Sequence, residues 1–155
     1  MYGYPKRSIH QAWLAPVVGA LMLFAGYASA QAADTLGDPT YNVVIQISSS
    51  DPVTQRTALN NAANLRKALG MDNVRVEVVA YGPGLSLLTK KSKYPDRVPS
   101  MATEGIRFSA CHNTMEHIKR KTGHMPTLLK GVEVVPSGVA RVVELEKKGY
   151  QYVRP

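Results

Sequence analysis

The chain has 155 residues, 45% of them apolar, with 19 Lys and Arg against 11 Asp and Glu and a single cysteine. That length allows one domain, and the apolar share excludes wholesale disorder, collagen and coiled coil. One cysteine excludes an internal disulfide framework and any Cys-rich zinc module.

Residues 1–30 have the order of a secretory signal peptide. Lys6 and Arg7 lie in a polar start, an apolar run follows from Ala12 to Tyr27, and Ala28-Ser29-Ala30 supplies small residues for cleavage. The run is about 16 residues, short of the roughly 20 that span a bilayer, which argues against a retained anchor. Cleavage is expected to leave about 125 residues for a periplasmic protein. Removing Lys6 and Arg7 from the 19 basic residues leaves 17 against 11 acids, a net +6. An exported basic domain is expected to meet small anions, acidic partners or a membrane surface, and not nucleic acid. Residues 31–40 are small and polar and read as a flexible lead-in.

From residue 41 strand and helix patterns alternate. Tyr41–Ile47 is almost all β-branched or aromatic, as in a strand buried on both faces. Asp51-Pro52 marks a helix start, Ala58, Ala62, Leu65 and Leu69 repeat at helical spacing, and Gly70 stops it. Val74–Ala80 reads as a second strand, whose Arg75 and Glu77 predict one less buried face. Tyr81-Gly-Pro-Gly84 is a turn, and a short apolar helix follows around Leu85, Leu87 and Leu88. Lys90–Arg97 reads as a basic solvated loop, and a brief helix over Val98–Glu104 ends at Gly105.

Ile106–Ala110 predicts a third strand with Cys111 at its exit. Asn113 and Glu116 form a variant capping box for a helix over Asn113–Lys121. Val132–Val135 is a fourth strand, Ser137 a candidate cap for a helix over Val139–Lys148, and Tyr150–Val153 a last strand. Strands separated by helices imply right-handed crossovers, hence an α/β fold with a mostly parallel sheet of about five strands and helices on both faces.

Ligands of such sheets bind beyond the carboxyl ends of the strands. Ser48–Asp51, Tyr81–Gly84, Cys111–Asn113 and Pro136–Gly138 fall on that edge, and three of these segments lead into helix N-termini that attract anions. Cys111 there is either a packing residue or a thiol whose pKa a helix end lowers. The residues around it match no strong metal pattern: Cys111, His112, His117 and His124 are irregularly spaced, with Lys119, Arg120, Lys121 and Lys130 nearby. A Gly-x-Ser-x-Gly elbow and a Gly-x-Gly-x-x-Gly fingerprint are both absent, so neither a serine hydrolase nor a dinucleotide cofactor is expected.

Three segments carry a resemblance to a known family. They are Gly105-Ile-Arg-Phe-Ser-Ala-Cys111-His-Asn-Thr-Met115, Gly131-Val-Glu-Val-Val-Pro-Ser-Gly-Val139 and Gly149-Tyr-Gln-Tyr-Val-Arg-Pro155. Together with Tyr81-Gly-Pro-Gly-Leu85 they resemble the DsrE/DsrF-like family over residues 41–155. The resemblance implies a three-layer α/β/α sandwich that assembles into dimers, trimers or hexamers. It also implies a sulfur-relay role, in which Cys111 accepts sulfane sulfur as a persulfide. His112, Asn113, Gly82 and Ser48 are then the candidate substrate-binding residues. The implied partners are a sulfur donor or acceptor protein, or a small sulfur anion, with no cofactor and no metal. Where the family often carries a histidine before the glycine of the second turn, this chain has Tyr81. The alternative reading is an oligomeric ligand- or partner-binding module without catalysis, with Cys111 structural.

Overall fold

The computed structural model describes residues 41–155. The signal peptide and lead-in expected over 1–40 lie outside the described residues. The chain alternates as expected through β1 (Tyr41–Ile47), α1 (Pro52–Leu69), β2 (Val74–Ala80), a 3-10 helix (Gly82–Leu88), α2 (Arg97–Thr103), β3 (Arg107–Cys111), α3 (His112–Thr122), β4 (Val132–Val135), α4 (Gly138–Lys147) and β5 (Gln151–Val153). Helix α1 starts where its cap dictates: Asp51 Oδ2 accepts from the Thr54 N–H at 2.7 Å, and Pro52 occupies the first helical position. Its buried residues, Gln55, Ala58, Leu59 and Ala62, follow the helical period and face the sheet.

The five strands lie in the order β4-β3-β2-β1-β5, and every neighbouring pair is parallel. The chain steps from β1 to β4 in one direction across the sheet, then crosses back to place β5 beside β1. Because such crossovers are right-handed, reversing the direction of travel moves the connecting helix to the opposite face. The packing follows. Val43, Ile45, Val76, Val78 and Phe108 share one core with residues of α1, the 3-10 helix, α2 and α3, whereas Val44 and Val79 pack with Val142 and Leu145 of α4.

Two expectations are corrected. Glu77 does not mark a solvated face, since it is 1% exposed beneath α4. Its carboxylate accepts from Arg141 Nε and Nη2, both at 2.8 Å, and from Ser109 Oγ at 2.7 Å, while Arg107 Nε lies 3.9 Å away. Burial pushes this carboxyl up, but the Arg141 and Ser109 hydrogen bonds and the two guanidinium charges outweigh it and hold the group below its usual 4.5. The second correction concerns α3, which begins at His112 with Cys111 in the cap position and no side-chain cap. The strand runs directly into the helix, so there is no preceding turn for Asn113 to cap, and the Asn113 N–H instead donates to the Pro136 carbonyl at 3.3 Å.

Glu77→Ala should lower the unfolding free energy by about 3 kcal/mol, because it removes the buried partner of the Arg141 guanidinium, 16% exposed, and leaves it only the exposed Glu144 at 3.5 Å. Since the folded pKa of Glu77 is depressed, its contribution is present above the usual carboxylate pKa and is lost as pH falls through the folded value. Urea denaturation at neutral pH and below about pH 4 checks both: the wild type should lose stability on acidification more steeply than the variant.

Candidate functional site around Cys111

Strands β3 and β4 are neighbours whose outgoing connections part: β3 feeds α3 on one face of the sheet, and β4 feeds α4 on the other. Such a divergence opens a crevice at the carboxyl ends of the two strands, the usual place for a ligand in this kind of sheet. Cys111 is the last residue of β3 and pairs in register with Val135 of β4. The thiol therefore sits where the N-termini of two helices converge. It is free of any disulfide and 4% exposed.

Burial pushes the Cys111 thiol up. The nearby Thr114 hydroxyl and the backbone N–H groups of Gly138, Thr114 and Asn113 favour the anion, more than offset this and hold the thiol below its usual range. Both helix ends contribute, with Asn113 and Thr114 in the first turn of α3 and Gly138 opening α4. Thr114 Oγ1 accepts from the Gly82 N–H at 2.9 Å, which leaves the hydroxyl its proton to donate. Gly82 reaches it with φ of 53°, a left-handed conformation open to glycine.

The approach of α4 depends on Gly138 having no side chain. A Cβ there would lie 2.8 Å from Tyr81 Cδ1. The Tyr81 ring is braced in turn, since its hydroxyl accepts from Gln46 Nε2 at 2.9 Å while Tyr152 Oη donates to Gln46 Oε1 at 3.0 Å. Tyr81 thus packs as the wall against which the α4 N-terminus rests. Ser137 caps α4, its Oγ accepting from the Ala140 N–H at 3.4 Å, as expected of that position.

Of the residues expected at the site, Cys111, Asn113 and Gly82 come together, Asn113 through its backbone and Gly82 through Thr114. His112 points away: its ring is 46% exposed and lies 3.8 Å from Glu116. Ser48 follows β1, two strands from β3, or roughly 10 Å by strand spacing, with Tyr81 in the row between. Sequence reasoning missed Thr114 and Gly138 as thiol ligands. Thr114 stands three residues after the cysteine, where the first turn of a helix returns a hydroxyl to its cap residue. Gly138 lies in a segment already placed on the sheet edge. Among the described residues, no cluster of three or more His, Cys, Asp or Glu could hold a metal ion.

Thr114→Val, which keeps the shape and removes the hydroxyl, should raise the Cys111 pKa and slow its alkylation at neutral pH by roughly fivefold. Because the native thiol pKa is depressed, the rate-against-pH profile of the variant should shift to higher pH. Gly138→Ala should move the profile in the same direction by displacing the α4 N-terminus. Iodoacetamide kinetics across pH, followed by mass spectrometry, reads both.

The DsrE/DsrF-like family profile matches residues 42–155, which is the whole described domain except Tyr41. Among solved structures, the chain is similar to a protein of unknown function, MTH1491, from Methanobacterium thermoautotrophicum. The two are 36% identical with a TM-score of 0.67, over 74% of this chain and 99% of that one. No curated protein matches the chain. The family match spans the strand ends, both helix N-termini and the thiol they enclose, and the chain belongs to the DsrE/DsrF-like family.

Proposed function

We propose that this protein is an exported sulfur-trafficking protein in which Cys111 carries sulfane sulfur as a persulfide. The observation that supports it best is the thiol held between two helix N-termini and the Thr114 hydroxyl, an arrangement that favours an anion on sulfur. In the forward step the Cys111 thiolate attacks the sulfane sulfur of a donor. A new S–S bond forms at Sγ, and the bond between that sulfur and the rest of the donor breaks. The leaving group takes the electron pair as a thiolate or sulfur anion, with no external oxidant. The proton lost from the thiol beforehand goes to solvent. Handing the sulfur to an acceptor thiolate reverses these events. The Thr114 hydroxyl and the N–H groups of Gly138, Thr114 and Asn113 would favour the persulfide anion as they favour the thiolate.

Export to the periplasm through cleavage of residues 1–30 belongs to this proposal, as does self-association into a dimer, trimer or hexamer. An apolar pair on α4 supports the latter: Val139 and Val143 are one turn apart and 59% and 49% exposed. The partners proposed are a sulfur donor or acceptor protein, or a small sulfur anion.

The second reading, an oligomeric binding module with a structural cysteine, draws on the 4% exposure of Cys111. One experiment separates the two. The native protein is incubated with polysulfide or thiosulfate and analysed by mass spectrometry beside a control thiol. Cys111 should gain the mass of one sulfur atom, reversibly on reduction, and Cys111→Ser should gain none. A Cys111 that stays unmodified and resists alkylation in the native state, while the control thiol reacts, sinks the carrier reading in favour of the module.

A further inference from the structure

A groove with about 600 Å³ of room opens on the α3 face of the sheet and borders the thiol site through Gly82 and Thr114. It runs between the 3-10 helix, the Thr89–Lys91 exit, one side of α3 and the stretch His124–Thr127. Its volume falls within the usual range for small-molecule sites, roughly 300–1,000 Å³. Cys111 does not line it; Thr114 does, standing between groove and sulfur.

The walls are fixed by backbone. The Lys90 N–H donates to the Thr127 carbonyl at 3.0 Å, and the Leu129 N–H to the Leu88 carbonyl at 2.9 Å. Thr122 Oγ1, at the end of α3, donates to the His124 carbonyl at 3.1 Å. These bonds tie the 124–129 stretch to the end of the 3-10 helix, to Lys90 just beyond it and to the end of α3, so the groove exists before any ligand arrives.

Its lining is chemically one-sided. Pro83, Ile118, Met125 and Pro126 supply an apolar surface, and Lys90, Lys91 and Lys121 stand exposed around it. His117 and His124 add imidazoles, and no carboxylate lines the groove. Among the described residues, none of the three lysines is held in an ion pair, although Lys119, next along α3, pairs with Glu116 at 3.9 Å. Lys90 and Lys91, read from the sequence as part of a solvated loop, line the same groove as Lys121. Three unpaired ammonium groups over an apolar floor match a ligand with an anionic head and an apolar body.

We propose that this groove binds a small amphipathic organic anion, a carboxylate or sulfonate carried on an aromatic or short aliphatic body. The apolar floor holds the body, and the lysines hold the anionic head. The site is separate from Cys111 and does not depend on sulfur chemistry there.

The test titrates the full chain with 8-anilinonaphthalene-1-sulfonate by fluorescence and calorimetry, with N-phenyl-1-naphthylamine as the uncharged counterpart. The expected result is one saturable site for the sulfonate that weakens with salt, with at least tenfold weaker binding of the uncharged compound. Lys90→Glu with Lys121→Glu should weaken sulfonate binding at least tenfold. The milder Lys90→Gln with Lys121→Gln should act in the same direction, and as exposed substitutions both should leave the circular dichroism spectrum unchanged. Cys111→Ser should bind as the wild type does. Absence of saturable binding, equal affinity in the charge-altered proteins, equal affinity for the uncharged compound, or loss of binding in Cys111→Ser would each overturn the proposal. Persulfide formation at Cys111 is measured separately, so the two can fail independently.

Discussion

The carboxylate of Glu77 fixes how the second face of the sheet is covered. Among the described residues only one helix, α4, packs there, and its apolar contribution to that core is small: Val142 and Leu145 against Val44 and Val79. The two-pronged grip of Arg141 on Glu77 gives α4 a register that so few apolar contacts would not specify alone. Ser109 and Arg107 complete the surroundings of the carboxylate, and Arg107 goes on to Glu133 at 2.8 Å, so the network reaches β2, β3, β4 and α4. One turn before Arg141 lies Gly138, the residue that delivers its N–H to the thiol. The position of that donor thus rests on an ion pair deep under the helix.

Two opposing effects meet at Cys111. Taking the thiol out of water disfavours its anion, yet burial also removes water from competition for the donors around it. The donors win because they come from two helices at once, each bringing the positive end of its dipole together with an N–H. The Thr114 hydroxyl is held by the Gly82 N–H, so a turn after β2 reaches the surroundings of the thiol at the end of β3. The Tyr152–Gln46–Tyr81 chain carries the same logic to β1 and β5, the far side of the sheet. The site therefore draws on all five strand ends while exposing almost none of its sulfur.

Much of this fold was legible in the residues. Runs of valine and isoleucine located β1, β2 and β4, Asp51-Pro52 and Ser137 located two helix starts, and the position of Cys111 at a strand exit followed from the pattern. Glu77 misled because periodicity reports charge, and a charged residue in an alternating strand usually faces water. Its partner stands 64 positions later, beyond the reach of any local pattern. Asn113 misled because a capping sequence presupposes a turn before the helix, and here the strand supplies none. Thr114 and the lysine-lined groove were invisible for a related reason: each gains its meaning from a neighbour brought in by another connection.

The sequence by itself determined an α/β fold, a parallel sheet, a lone thiol on its carboxyl edge and membership of a family. These are properties of local periodicity, chain handedness and composition. Strand order belonged to the tertiary structure alone. Placing β4 beside β3 while sending α4 to the opposite face brought two helix N-termini to Cys111, and that reversal is fixed by which strands can bury their side chains against which helices. The single cysteine could be placed from its neighbours in the chain. Its electrostatic setting came from Gly82, Thr114 and Gly138, which only folding brings within hydrogen-bonding reach.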